Sequence, residues 1–344
     1  MRPSFHPRLV NDPFDDPVLF IPFPFANRAM MFDLGDITGL AARDILKTSH
    51  VFISHTHMDH FIGFDRLLRL HLGREKSLYL YGPEGFHENL EGKLAGYSWN
   101  LVENYANRFV LYATEILSKK MTTKQYFCRD KFLASGTADT ETFTDIVHQE
   151  PALTVSAVLL EHGIPCLGYA IKERFHINIM KDKLADLKLE TGPWLNRFKQ
   201  ALYQQASPEA EFVAADGNNN RPQKRFQLGD LAKRIARLTP GQKICYVVDV
   251  GYTASNIAKI IGFAKNADQL FIEAAFLEKH KEVARLKNHL TARQAGTIAG
   301  KSRVKQLKVF HFSPRYNAEG HLLEQEALDA YRSVPVQENS TGGK

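Results

Sequence analysis

The chain has 344 residues, so about two domains at most fit its length, and one large α/β domain fits as well. Hydrophobic residues make up 44% and charged residues 24%, which excludes a disordered, collagen-like or membrane-embedded chain. No apolar run approaches the ~18 residues of a spanning helix, the opening MRPSFHPRLVNDPFDD lacks a signal peptide's apolar stretch, and Lys+Arg exceed Asp+Glu by 44 to 38.

In chain order, strands are expected at 18–22, 29–33, 50–54 and 77–81, with a helix at 62–72. Residues 96–145 show no clear period and read as an insertion. Strands follow at 153–160 and 166–172. Residues 174–193 are charged and close on Thr191-Gly192-Pro193, a turn signal ahead of a helix at 193–205. Residues 207–225 are polar, so 174–225 reads as a second inserted region. Helices are then expected at 228–238, 254–263, 276–288, 291–302 and 322–332, with strands at 243–248, 269–274 and 307–312. The alternation argues α/β layers. No linker splits the chain, so 1–336 is read as a single domain and 337–344 as a disordered tail. Cys128, Cys166 and Cys245 are far apart and make no disulfide framework, which points to a reducing cytoplasm.

The charge is uneven. Residues 219–243 carry Arg221, Lys224, Arg225, Lys233, Arg234, Arg237 and Lys243 against Asp230 alone. Residues 279–308 carry nine Lys/Arg against Glu282 alone. Such a C-terminal half suits a polyanionic partner; a solvated basic helix surface is the other reading.

The strongest chemical signal is His55-Thr56-His57-Met58-Asp59-His60, directly after the apolar strand. His55 and His57 are two apart, so an extended backbone points both to one side. Asp59 and His60 follow where a helix begins. Imidazole and carboxylate together suit Zn²⁺ and other transition metals. Three more potential ligands close later strands: His162, Asp249 and His311. Taken singly, each is as readily a core or capping residue.

The HxHxDH series resembles the metallo-β-lactamase superfamily. The segments His162-Gly-Ile-Pro-Cys-Leu-Gly-Tyr169, Glu273-Ala-Ala-Phe276, His289-Leu-Thr291 with Gln294-Ala295, and His311-Phe-Ser-Pro-Arg-Tyr316 narrow the resemblance to ribonuclease Z. It covers roughly residues 29–332. The resemblance implies an α/β fold, a four-layer αββα sandwich with metals at strand ends along one edge. It implies one metal on His55, His57 and His162, another on Asp59, His60 and His311, and Asp249 between them. The ions would be Zn²⁺, with Mn²⁺ as the alternative. Asp59, His289 and Glu273 would be catalytic: a hydroxide shared by the metals attacks the phosphodiester, Asp59 orients it, and His289, backed by Glu273, protonates the leaving oxygen. Ser313 and Arg315 would meet phosphate oxygens. A plain alternative makes His289 a capping residue at the start of the next helix, where Thr291 is also a plausible N-cap. The chain departs from the family at Val248-Asp249-Val250, where Gly-Asp-Thr is usual, and in a compact 174–205 stretch where an RNA-binding arm protrudes.

The expected function is a metal-dependent hydrolase, an endoribonuclease that cuts precursor transfer RNA at its 3′ end. It would work in the cytoplasm, off the membrane, with a homodimer as one assembly. A hydrolase of small diesters, lactones or thioesters is the alternative. A non-catalytic RNA-binding relative is a third reading, opposed by the complete ligand series.

Overall fold

The computed structural model describes residues 5–335 apart from 25, 137 and 215–223. The expected tail at 337–344 lies outside the described residues. The chain divides into a larger unit, Phe5–Val147, Ser156–Ala170 and from Ile244 onward, and a smaller unit built mainly from Ile171–Lys243.

One sheet has eight strands, each beside its neighbour in sequence, from Arg8–Leu9 to Asp139–Thr142. Its middle strands, Arg28–Phe32, Thr48–Phe52, Lys76–Pro83 and Phe109–Ile116, run parallel. The second sheet has six strands in the order Leu307–Phe310, Gln269–Glu273, Lys243–Val247, Pro165–Glu173, Leu153–Glu161 and Ile146–Gln149. Both faces of the parallel strands are covered, which suits their mostly buried residues.

Alternation along each strand sorts the side chains into layers. Val51 and Ile53 pack outward with Phe64, Leu67, Phe86 and Leu90 of the helices Phe64–His71 and Phe86–Ala95. Phe52 turns inward, its ring 5.5 Å from Tyr169. On the second sheet Cys245 and Val247 pack outward against Ile260, Ile298 and Leu323. Tyr246 turns inward, 6.0 Å from Phe32. The two sheets therefore face each other across an aromatic layer, with helices outside both. This is the expected four-layer αββα sandwich.

The smaller unit pairs Phe175–Ile179 with Ala236–Pro240 and Glu211–Ala214 with Lys224–Gln227, both antiparallel. It has its own core around Trp194, Phe198, Leu228, Leu231 and Ile235.

Several expectations differ from the structure. Residues 96–145 supply Phe109–Ile116, Lys120–Phe127 and Asp139–Thr142 to the first sheet. Lys120–Phe127 is half-buried and Asp139–Thr142 is exposed, so neither carries an apolar run. The helix at 228–238 ends at Ile235, because Ala236–Pro240 leaves it to pair as a strand. The helix at 276–288 is a short turn, Glu278–His280, and then Lys281–Leu286. It starts late because Phe276 bridges to Thr291.

Register sets the site. Phe32 pairs with Phe52, Val247 with Ile272, and Glu273 with Phe310. The residues that follow these strands leave both sheets along one edge, the carboxyl ends where α/β sheets bind ligands.

Candidate metal centre

His55, His57, His162 and Asp249 each offer a ligand atom, all within 4.8 Å of one another, and Asp59, His60 and His311 form a second such group. Asp249 joins them. Its Oδ2 lies 3.4 Å from Nε2 of His55, of His60 and of His162, and its Oδ1 lies 3.1 Å from Nδ1 of His311. Asp59 Oδ2 lies 3.3 Å from His60 Nε2 and 3.4 Å from His311 Nε2. All seven expected ligands thus meet at one place.

Hydrogen bonds behind the centre aim the rings. Asp33 Oδ2 accepts from His60 Nδ1 at 2.8 Å. The backbone carbonyl of Asn288 accepts from His162 Nδ1 at 2.8 Å. Ser54 gives its single hydroxyl proton to Asp33 at 2.8 Å, so it accepts from His55 Nδ1 at 3.0 Å. Each of these rings then carries its proton on Nδ1 and presents an Nε2 lone pair inward, as metal-binding imidazoles do. Asp33 also accepts from Ser54 N and from the Tyr246 hydroxyl.

The loop at 33–36 supports the other half. Leu34 N donates to His60 O at 2.9 Å and Gly63 N to Leu34 O at 2.8 Å. A Cβ on Gly63 would lie 2.2 Å from the Gly35 carbonyl, so only glycine allows this approach.

The donor set fits divalent ions. Among the described residues, His55 Nε2, His60 Nε2, Asp249 Oδ1 and His311 Nδ1 are buried without a hydrogen-bond partner. Four such atoms converging on one point would be costly for a purely structural cluster. The charges agree. Burial and the neighbouring His60 push His55 down to about 2. Burial would raise Asp249, but His311 and His60 hold it well below the carboxylate range. Burial would also raise Asp59, and the neighbouring His311 and His60 reverse that. Burial works against a charged His60, yet Asp249 and Asp33 raise it well above its ordinary value. Ionised carboxylates among imidazoles are what a cation binds by displacing protons.

Glu273 and His289 stand beside this cluster. Glu273 is fully buried at the end of its strand. Its Oε2 accepts from His289 Nδ1 at 2.9 Å, and its Oε1 accepts from Val250 N at 2.7 Å. Burial opposes charge on His289, but Glu273 outweighs it and lifts the imidazole to about 9. His289 Nδ1 is 3.7 Å from Asp249 Oδ1. Thr291 caps the helix Ala292–Lys301 through a capping box with Gln294, so His289 is not its cap.

Comparison with known proteins bears on the fold. No protein-family model matches the chain. The metallo-β-lactamase fold protein YhfI from Bacillus subtilis superposes with a TM-score of 0.52 at 14% identity, covering 92% of this chain and 86% of its own. The short form of human tRNase Z gives 0.50 at 16%, covering 90% and 93%. The chain has the metallo-β-lactamase fold. Among curated proteins, ribonuclease Z of Deinococcus radiodurans is 27% identical over 83% of both chains. Ribonuclease Z of Thermobifida fusca is 28% identical over 88% of this chain and 76% of its own.

Within this metallo-β-lactamase fold the remaining expected residues are less committed. Ser313 caps a short turn by accepting from Arg315 N at 3.5 Å, and Arg315 is exposed. In the basic stretch at 219–243, Arg221 lies outside the described residues. Lys224 Nζ donates to the Leu187 and Lys188 carbonyls, and Arg225 pairs with Glu211 at 2.7 Å.

Two positioning residues escape a reading of the sequence. Asp33 only closes the strand expected at 29–33, and its hold on His60 crosses 27 positions. Asn256 is buried on the helix Ala254–Phe263. Its Nδ2 donates to the carbonyls of Glu161 at 3.0 Å and Gly251 at 2.9 Å, and its Oδ1 accepts from Glu161 N at 3.2 Å. It ties together the segments that carry His162 and Asp249. Neither role leaves a local pattern.

Proposed function

We propose that the protein is a divalent-metal-dependent phosphodiesterase that cuts RNA, with the 3′ end of precursor transfer RNA as its substrate. The observation that carries this is the convergence of five His and two Asp, with orphaned buried donor atoms, beside the Glu273–His289 pair. Relatives named ribonuclease Z, aligned over most of the chain, supply the substrate.

His55, His57 and His162 would hold one ion, Asp59, His60 and His311 the other, and Asp249 both. When bound, two ions activate water at neutral pH and neutralise the charge of the phosphoryl oxygens. Zn²⁺ is the proposed metal, and Mn²⁺ suits the same donors. The protein's own groups handle the protons. Asp59 accepts a hydrogen bond from the attacking water and orients it. His289 is held at Nδ1 by Glu273, which leaves the Nε2 proton for the leaving 3′ oxygen. The Glu273 carboxylate favours the protonated ring. All three cysteines are buried thiols, which supports the reducing cytoplasm as its compartment.

Metal analysis coupled to cleavage tests the proposal. Two ions per chain, 3′ cleavage of a precursor transfer RNA and loss of cleavage with chelator are expected. Turnover of a chromogenic diester without RNA cleavage would make it a small-molecule phosphodiesterase. Metal-free protein inactive on both would end the proposal.

A further inference from the structure

A cleft of about 520 Å³ in the larger unit, within the range of ligand pockets, is lined by Glu161 and Gly163, the two neighbours of His162. Its apolar wall includes Leu117, Pro165 and Ile164, which is 38% exposed although it sits two residues from a metal-centre histidine. Glu84, Glu161 and Lys259 are the charged groups of the lining. Lys259 Nζ donates to the Leu159 carbonyl at 2.9 Å, which holds the ammonium at the cleft.

We propose that this cleft receives the heterocycle next to the scissile phosphate and selects bases that carry an exocyclic amine. The proposal rests on the phosphodiesterase reading and deepens it. Two carboxylates against one ammonium repel a phosphate, so the RNA backbone does not enter. Apolar walls suit the faces of a flat ring. A carboxylate accepts from an exocyclic amine, as Glu and Asp do from cytosine N4, and the remaining Lys259 protons suit a ring carbonyl. Uracil places a carbonyl where cytosine has its amine, and that oxygen would face a carboxylate. An acyl chain could pair with neither carboxylate nor with the remaining Lys259 protons.

The test uses full-length, metal-loaded protein and p-nitrophenyl phosphodiesters of cytidine and of uridine, with methyl p-nitrophenyl phosphate as the base-free control. The cytidine ester should have about a tenfold higher kcat/KM, the scale of one hydrogen bond to a charged group. The double variant Glu84→Ala/Glu161→Ala should bring the ratio near one and leave the methyl ester unchanged; both side chains are exposed. A wild-type ratio near one, or an unchanged ratio in the variant, overturns the proposal. So does preferential turnover of an octanoyl p-nitrophenyl ester that Ile164→Asp abolishes, which would make the cleft an acyl pocket. Cytidine and uridine binding by NMR separates this failure from that of the phosphodiesterase reading. If no diester is cleaved, that reading fails, yet cytidine binding lost in the double variant still supports the base site. Absent or unselective nucleoside binding refutes it.

Discussion

At His289 one buried carboxylate decides what an imidazole can do. Glu273 takes the Nδ1 proton and is itself fixed through Val250 N, so it cannot swing away. His289→Ala should therefore keep both ions and lose about 10²–10⁴ in rate on RNA, the usual scale of general acid–base catalysis. The loss should shrink for a nitrophenyl diester, whose leaving group needs no proton. An equal loss on both substrates would leave His289 an electrostatic role only. Asp33 acts one shell further out. Asp33→Asn keeps the size but removes the charge behind His60, and ion affinity should fall about 10–100-fold. Chelator competition reads this directly, and unchanged affinity would reduce Asp33 to a packing residue.

Short segments between strands and helices hold the centre, and the helix Ala254–Phe263 steadies two of them through Asn256. Asn256→Ala removes three hydrogen bonds to the Glu161 and Gly251 backbone, each worth about 0.5–1.5 kcal/mol, while the two carbonyls keep Gly251 N and Thr253 N as donors. Ion affinity should drop about 10–100-fold, because His162 and Asp249 flank the freed backbone. Ile260→Ala, on the same helix, should cost about 2–5 kcal/mol of stability through its cavity but leave ion affinity alone. If Asn256→Ala binds ions as the wild type does, the clamp is only structural. This contrast also explains what the sequence discloses. His55, His57, Asp59 and His60 lie in one short run, so their spacing alone reveals them. His162, Asp249 and His311 are visible because each follows a buried apolar strand. Asn256 sits in the first turn of its helix and meets Glu161 across 95 positions, so no periodicity marks it. Strands such as Lys120–Phe127 hide for a related reason: a half-buried strand needs no apolar run.

For the whole chain, all seven expected ligands lie in the larger unit. An ion present at about 100 times its dissociation constant stabilises the folded form by about 2.7 kcal/mol. Chelation should thus lower the melting temperature by at least about 5 °C. Hydrogen exchange should locate the loss at residues 53–60, 159–163 and 247–251, with protection in 175–203 unchanged. Uniform loosening across both units would contradict a local metal centre.

Asp33, Asp249 and His311 share one more property: each leaves its strand with positive φ, at 57°, 48° and 61°. Asn tolerates that backbone about as well as Asp does, whereas Ala and β-branched residues resist it. Alanine scanning of this centre would therefore mix two injuries, a lost ligand and a strained turn. Asp249→Asn removes the charge while keeping the turn, so Asp249→Asn isolates the lost charge and Asp249→Ala adds the strained turn and the lost side-chain oxygen. The strand-end bends act as a scaffold that can be assayed apart from the chemistry it carries.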